Sequence, residues 1–240
     1  GNITNQVVIA GQAFAIYVNK SVTGNTAGLH INISKQSLTS IFSGLYTDWS
    51  QVPKADGSGF LAAGAINVCL RDAGSGTQAG DSIFFNGQNC STAPYGFTSS
   101  PYARNNSTGN DTSDELGCVA GHSGAIGFAT VQAAIPANSS IVDIDGVVAS
   151  RTNAANGSYG YWYEATFNYN STLTGSANEN ALAQTLITRL QTAATVPASS
   201  ANTFALPIGS NSIVLPVDAS HPVALGTRSG NSCALPLGQN

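Results

Sequence analysis

Apolar and polar positions alternate along the chain in two patterns, one with the period of strands and one with the period of helices. Residues 65–70 form a short apolar run that predicts a buried strand. From Thr77 onward, apolar positions spaced three and four apart among polar ones predict an amphipathic helix. Strands and helices continue to alternate in this way to about residue 190, which is typical of an α/β protein.

The segment that joins this strand to this helix, residues 71–77, has the sequence Arg-Asp-Ala-Gly-Ser-Gly-Thr. A helix N-terminus presents unpaired N–H groups, and glycine lets an anion approach the backbone closely. Ser75 and Thr77 add hydroxyl donors, and Arg71 adds a planar cation suited to phosphate or carboxylate. The segment therefore predicts an oxyanion site, although ordinary helix capping and a surface pairing of Arg71 with Asp72 or Asp81 would use the same residues.

Four segments in order resemble the phosphate-binding protein of bacterial phosphate ABC transporters, a type II periplasmic binding protein. They are residues 6–20, residues 38–49 with the pattern I-F-S-G-L-Y-T-D-W, residues 71–77 with R-x-x-x-S-G-T, and residues 124–128 with G-A-I-G-F. The resemblance extends from about residue 6 to about residue 192. It implies an α/β fold of two lobes joined by hinge crossings near Val18 and Gly127.

The resemblance also implies a domain division and a departure from the family. Residues 1–20 and 127–192 would form a partial first lobe, residues 21–126 a complete second lobe, and residues 193–240 an extended tail rich in Pro, Ser and Ala. The family's N-terminal portion, which carries the other half of the phosphate site, has no counterpart here. The position two after the arginine, often acidic in the family where it orients the arginine, is Ala73.

By this resemblance the protein is expected to capture phosphate or a similar oxyanion for ABC-type uptake, without being an enzyme. The expected ligand-binding residues are Arg71, Ser75, Gly76 and Thr77. Expected partners are an ABC permease, or a neighbouring subunit that completes the first lobe. The alternative is an extracellular structural, filament or adhesive protein that reuses the fold without transport.

Composition indicates the compartment. Only 8% of the residues are charged and methionine is absent, which is typical of a protein in the periplasm or outside the cell. The net charge is −4 and the chain has no basic run, so nucleic acid is not expected as a partner. It has no apolar stretch of the roughly 20 residues that a membrane span needs. No motif calls for a cofactor or a metal.

The four cysteines are Cys69, Cys90, Cys118 and Cys233. An even number without C-x-x-C spacing favours disulfides over metal binding, and three pairings are open. A long polar loop is expected over residues 88–117, and Cys90 with Cys118 is favoured because the two bracket its residues 91–117. Cys69 would then pair with Cys233 and tie down the tail, unless Cys69 is a buried free thiol.

Several other motifs have ordinary structural interpretations. Residues 121–125 are similar to the G-x-S-x-G nucleophile elbow, but Ala125 replaces the last glycine and the strand-turn-helix order is missing. Asp145-Gly146 between apolar runs predicts a hairpin turn rather than a calcium loop. The aromatic residues 161–163 are expected in a strand packed on both faces, and His30 and His221 are expected on the surface or in loops.

Overall fold

The computed structural model describes residues 5–22, 26–27, 30–71, 75–87, 111–169, 177–190, 203–204, 224–227 and 237–238. The chain forms two compact units. One comprises residues 14–149, and the other comprises residues 1–13 together with 150–240. Strand β1, Asn5–Asn19, begins in the second of these and ends in the first. The predicted division into lobes places hinge crossings near residues 18 and 127, which is a different division from that into compact units. The two lobes stay a prediction.

The unit of residues 14–149 contains a mixed sheet. Its strands, besides the second half of β1, are β2 (Thr26–Ala27), β3 (His30–Ile33), β4 (Asn67–Val68), β5 (Ala125–Thr130) and β6 (Ser139–Ile144). The strand order is β2-β3-β6-β1-β5-β4. β1 runs antiparallel to both β5 and β6, whereas β4 is parallel to β5 and β3 is parallel to β6. Two of the four segments that carry the family resemblance, residues 6–20 and 124–128, contribute strands β1 and β5 to this sheet.

Three α-helices and one short turn of 3-10 helix belong to the same unit. They are α1 (Lys35–Phe42), the 3-10 turn Trp49–Gln51, α2 (Gly76–Asn86) and α3 (Thr112–Gly121). Each begins after a residue whose side chain accepts a backbone N–H of the first turn: Ser34, Asp48, Ser75 and Asp111. The loop expected over residues 88–117 is therefore wrong from residue 112 onward, because Asp111 caps a helix there, and residues 88–110 lie outside the described residues.

The core of this unit joins the sheet to its helices. Phe42 of α1 lies with its ring centroid 5.2 Å from that of Phe85 and 6.1 Å from that of Phe128 on β5. Trp49 is almost fully buried and donates its indole N–H to the carbonyl of Gly124 at 3.0 Å. The tryptophan of the second resemblance segment thus packs directly on the glycine of the fourth.

The other unit is built around the first half of β1. That half pairs antiparallel with β7 (Trp162–Tyr169) and, at Gly11 and Gln12, with the short strand β8 (Thr203–Phe204). The unit also contains α4 (Arg151–Ala155), α5 (Ala177–Leu190), and the two-residue strands β9 (Gly226–Thr227) and β10 (Leu237–Gly238). Side chains 161–163 are buried, as expected for a strand covered on both faces.

A disulfide joins Cys69, just after β4, to Cys118 on α3. The pairings of Cys90 with Cys118 and of Cys69 with Cys233 are therefore wrong, and Cys69 is not a free thiol. β4 lies beside β5, and α3 packs on β5, so the fold brings these two cysteines together across a distance that sequence spacing does not reveal. Cys90 and Cys233 lie outside the described residues.

The Asp145-Gly146 turn and His30 both lie at strand β6 or beside it. Asp145 and Gly146 have φ angles of 53° and 80° and close a tight turn between Ile144 and Val147, which confirms the hairpin. His30 is not a simple surface or loop histidine, because its Nδ1 lies 2.7 Å from the carboxylate of Asp143 on the neighbouring strand β6. His221 lies outside the described residues.

Candidate anion-binding site

The backbone leading to Arg71 is fixed from two sides. Parallel pairing continues past β4, since the Cys69 N–H donates to the carbonyl of Ile126 at 2.7 Å. The disulfide to Cys118 anchors the same residue to α3. Arg71 follows two positions later and is half-buried. The strand end that carries the predicted cation is thus held by the sheet and by a helix at once.

The other three predicted ligands form the start of α2. Ser75 is the N-cap, and its hydroxyl oxygen accepts the N–H of Gln78 at 3.3 Å. Gly76 is the first helical residue and is exposed, while Thr77 is half-buried. The Ser75 hydroxyl can still donate a hydrogen bond when its oxygen accepts one. Capping and anion binding are therefore compatible at this residue.

Packing does not explain the glycine at position 76. A Cβ atom built there would meet no atom of the described chain within 4 Å, and its φ is not in the left-handed range. By contrast, Gly124 has a φ of 70°, and a Cβ there would collide with the carbonyl of Ala65. Gly76 is exposed and begins an 11-residue helix, whose first N–H groups have no partner within the helix.

Two carboxylates of α3 and its cap lie within electrostatic reach of Arg71. Burial raises the pKa of Glu115 to about 7, while a hydrogen bond from the Phe128 N–H and the charge of Arg71 act in the opposite direction. The pKa of exposed Asp111 is lowered, chiefly by hydrogen bonds from Ser113 and Asp114, with a smaller contribution from Arg71. Arg71 thus has acidic neighbours even though Ala73 stands where the family often has one.

These carboxylates are the part of the site that sequence reasoning missed. The series Asp111-Thr-Ser-Asp114-Glu115 is an N-cap followed by acidic residues in the first turn, which is a usual helix-start signal. This signal predicts helix α3, but it does not predict that α3 lies within electrostatic reach of Arg71. That arrangement depends on the pairing of β4 with β5 and on the Cys69–Cys118 disulfide. Asp72 and Ala73 lie outside the described residues, so the pairing of Arg71 with Asp72 is not described.

The serine of the elbow-like segment has a structural setting rather than a catalytic one. Ser123 follows α3 and precedes β5, which is the reverse of the strand-turn-helix order of a nucleophile elbow. The next residue, Gly124, donates its N–H to the Ser21 hydroxyl and accepts from Trp49. Within the described part of the chain, no three His, Cys, Asp or Glu side chains are placed to hold a metal ion.

The mixed α/β fold is that of the type II periplasmic binding proteins. The match to the family model described as "PBP superfamily domain" covers residues 2–205. The chain therefore belongs to the PBP superfamily. None of the helices that the structure describes is long and apolar enough to cross a bilayer.

Solved structures with the same fold include three bacterial phosphate receptors. An ABC-type phosphate transport receptor from Vibrio cholerae has a TM-score of 0.56 and 18% identity, over 79% of this chain and 72% of that one. A putative phosphate ABC transporter substrate-binding protein from Clostridium perfringens, with bound phosphate, has a TM-score of 0.54 and 18% identity, over 78% and 70%. PstS from Borrelia burgdorferi has a TM-score of 0.53 and 14% identity, over 77% and 66%. No curated protein sequence is significantly similar to the chain.

Proposed function

We propose that the protein is an extracytoplasmic solute-binding protein that captures phosphate or a similar tetrahedral oxyanion for ABC-type uptake. Arg71 supplies the cation, Ser75 and Thr77 supply hydroxyl donors, and the backbone N–H groups of Gly76 and Thr77 supply the helix N-terminus. The observation that carries this proposal is the exposed Gly76, beside which a Cβ would meet no described atom, at the start of a helix and in the same segment as a half-buried arginine. Phosphate is the anion named for the structural neighbours from Vibrio cholerae and Clostridium perfringens.

The rest of the described structure agrees with a binding role and with export. The elbow-like serine is part of a turn that connects a helix to a strand, and the structural neighbours are binding proteins rather than enzymes. The Cys69–Cys118 disulfide is typical of oxidising compartments such as the periplasm or the extracellular space. An ABC permease is the partner that this function requires. No feature of the described residues favours the structural or adhesive alternative.

Isothermal titration with inorganic phosphate at constant ionic strength tests the proposal. We expect saturable binding that Arg71→Ala weakens by about 2 kcal/mol, or about 30-fold, because a charge-assisted contact is lost. Arg189→Ala, which removes an exposed charge from α5, is the control for net charge. Equal affinities of the Arg71→Ala and Arg189→Ala proteins would show that Arg71 does not bind the anion.

Gly76→Ala is a second probe that changes no charge. It adds one methyl group to space that is open in the structure, so folding should be unaffected or slightly favoured, by up to about 1 kcal/mol, because alanine is the better helix former. If the anion contacts the backbone at this point, the methyl group obstructs it and the affinity falls. Unchanged phosphate affinity in a normally folded Gly76→Ala protein would contradict backbone binding at the start of α2.

A further inference from the structure

Asparagine-linked glycosylation motifs, Asn-x-Ser/Thr with x other than proline, are unusually frequent in this chain. Serine and threonine make up about one fifth of the sequence, so about one asparagine in five would precede such a residue by two positions through chance alone. Ten of the 22 asparagines do so. They are Asn2, Asn19, Asn32, Asn89, Asn105, Asn106, Asn110, Asn138, Asn156 and Asn170.

We propose that Asn138 and Asn156 carry N-linked glycans in the folded protein and that Asn19, in the same type of tripeptide, does not. A glycan needs an asparagine whose amide nitrogen faces solvent with room for a sugar. The structure separates these three residues on that criterion.

Asn156 lies on the exposed turn that ends α4. Asn156, Gly157 and Ser158 are all exposed, and the Asn156 Oδ1 accepts the backbone N–H of Ser158 at 3.0 Å. This hydrogen bond is accepted by the amide oxygen of Asn156, so the amide nitrogen takes no part in it. Gly157 has a φ of 79° and presents no side chain beside the asparagine. The turn therefore holds the amide outward without burying it.

Asn138 lies in the exposed turn that leads into β6. Its backbone carbonyl accepts the N–H of Lys20 at 2.8 Å, and the next N–H, of Ser139, donates to Pro136 at 2.9 Å. The main chain is therefore fixed while the side chain is exposed and makes no hydrogen bond to the described residues. Ser140 of the same motif is buried in β6, which is no obstacle when the sugar is added before the strand folds.

Asn19 is the opposite case. It is 8% exposed, and its Nδ2 donates to the carbonyls of Val119 at 2.9 Å and Ala120 at 3.1 Å. Its Oδ1 accepts the N–H of Ser21 at 2.9 Å. A sugar on this nitrogen would replace an N–H donor and would have to fit into the packed end of α3. Chains modified at Asn19 are therefore excluded from the folded population.

The transfer uses a lipid-linked pyrophosphate oligosaccharide as the donor. The amide nitrogen of asparagine forms a bond to the anomeric carbon of the first sugar, and the bond from that carbon to the pyrophosphate oxygen breaks. The lipid pyrophosphate leaves, and one amide proton is lost to a base of the transferase. The secretory compartments that carry out this reaction also form disulfides, in agreement with the Cys69–Cys118 bond. Glycans would also hydrate a surface on a chain with only 8% charged residues.

The test uses the mature protein from its natural source. The folded protein is digested with peptide-N-glycosidase in ¹⁸O-water, which labels each formerly glycosylated asparagine, and peptides are mapped by mass spectrometry. A parallel incubation without enzyme corrects for spontaneous deamidation at Asn156-Gly157. We expect enzyme-dependent label at Asn138 and Asn156 and none at Asn19. Absence of label at Asn138 or at Asn156, or its presence at Asn19, overturns the proposal.

Matched variants secreted by eukaryotic cells assign the glycan at Asn156 independently. Ser158→Ala removes the acceptor motif but keeps the backbone N–H that holds the Asn156 amide, so one glycan should be lost without loss of folding. Ser158→Thr keeps the motif and should keep the glycan. Equal glycan mass in the two variants would contradict modification at Asn156, and Asn138→Gln gives the corresponding test at the other site.

Discussion

The buried carboxyl group of Glu115 is expected to make the stability of the protein depend on pH. Glu115 is 3% exposed, and burial raises its pKa from 4.5 to about 7. The folded state therefore binds the proton more tightly than the unfolded state, so stability from this group is greatest below pH 4.5. It is lost as the pH rises through about 7.

The size of the effect follows from the shift. Each unit of pKa corresponds to about 1.4 kcal/mol, so the shift of Glu115 corresponds to about 3 kcal/mol over the whole titration. About 2 kcal/mol of this is expected between about pH 5.5 and pH 8.5, since the unfolded group is already mostly ionised at the lower value. Glu115→Gln cannot titrate, and its side-chain oxygen can still accept the Phe128 N–H.

The assay is urea unfolding of the wild-type protein and the Glu115→Gln variant at these two pH values. We expect the variant to gain about 2 kcal/mol relative to wild type when the pH is raised from 5.5 to 8.5. Any cost of the amide that does not depend on pH cancels in this comparison. Glu179→Gln, at an exposed position of α5, is the control and should follow the wild-type profile. Identical pH profiles for wild type and Glu115→Gln would refute the reasoning.

Three further predictions concern the framework of the fold. Gly124→Ala should lower the free energy of unfolding by about 3 kcal/mol or more, because the φ of Gly124 is 70° and a Cβ there would collide with a backbone carbonyl. In the same urea assay the matched control Gly121→Ala should leave the free energy of unfolding nearly unchanged, because a Cβ at Gly121 would meet no described atom within 4 Å. Replacing Cys69 and Cys118 together with serine should cost about 2 to 4 kcal/mol of unfolding free energy, because the bond closes a loop of 49 residues; an unchanged urea midpoint would contradict this. Deleting residues 203–240 removes the pairing of β8 with β1 and the hydrogen bond from the Leu225 N–H to the Ala155 carbonyl. The truncated protein should therefore aggregate, which size-exclusion chromatography would detect. A soluble truncated protein with unchanged heat stability would show that the tail is not needed.

Local signals predicted the elements correctly where the cause of the structure is local. The start of α2 follows from the Ser75 cap and the helical spacing after it. The Asp145-Gly146 turn follows from the backbone preferences of those two residues. The strand predicted over residues 65–70 is shorter, since only Asn67 and Val68 form β4.

Sequence reasoning failed where the structure depends on distant pairing. The disulfide partner of Cys69 is set by β4 lying beside β5 and by α3 packing on β5. The burial of Glu115 against the Phe128 N–H depends on the same arrangement. The four ligand residues are predicted from their own segment and stay a prediction. The carboxylates whose pKa values Arg71 lowers, those of Asp111 and Glu115, lie some forty positions later in the chain, and no local pattern predicts that proximity.

The most direct test of the proposed anion site is a nuclear magnetic resonance titration of the ¹⁵N-labelled protein with inorganic phosphate. Chloride at equal ionic strength serves as the reference. The account predicts saturable shifts of the backbone N–H signals of Gly76 and Thr77 and of the Arg71 side-chain N–H, with amplitudes that follow one binding curve. Shifts confined to other residues, or no saturable change at millimolar phosphate, would contradict the claim that this segment binds an oxyanion.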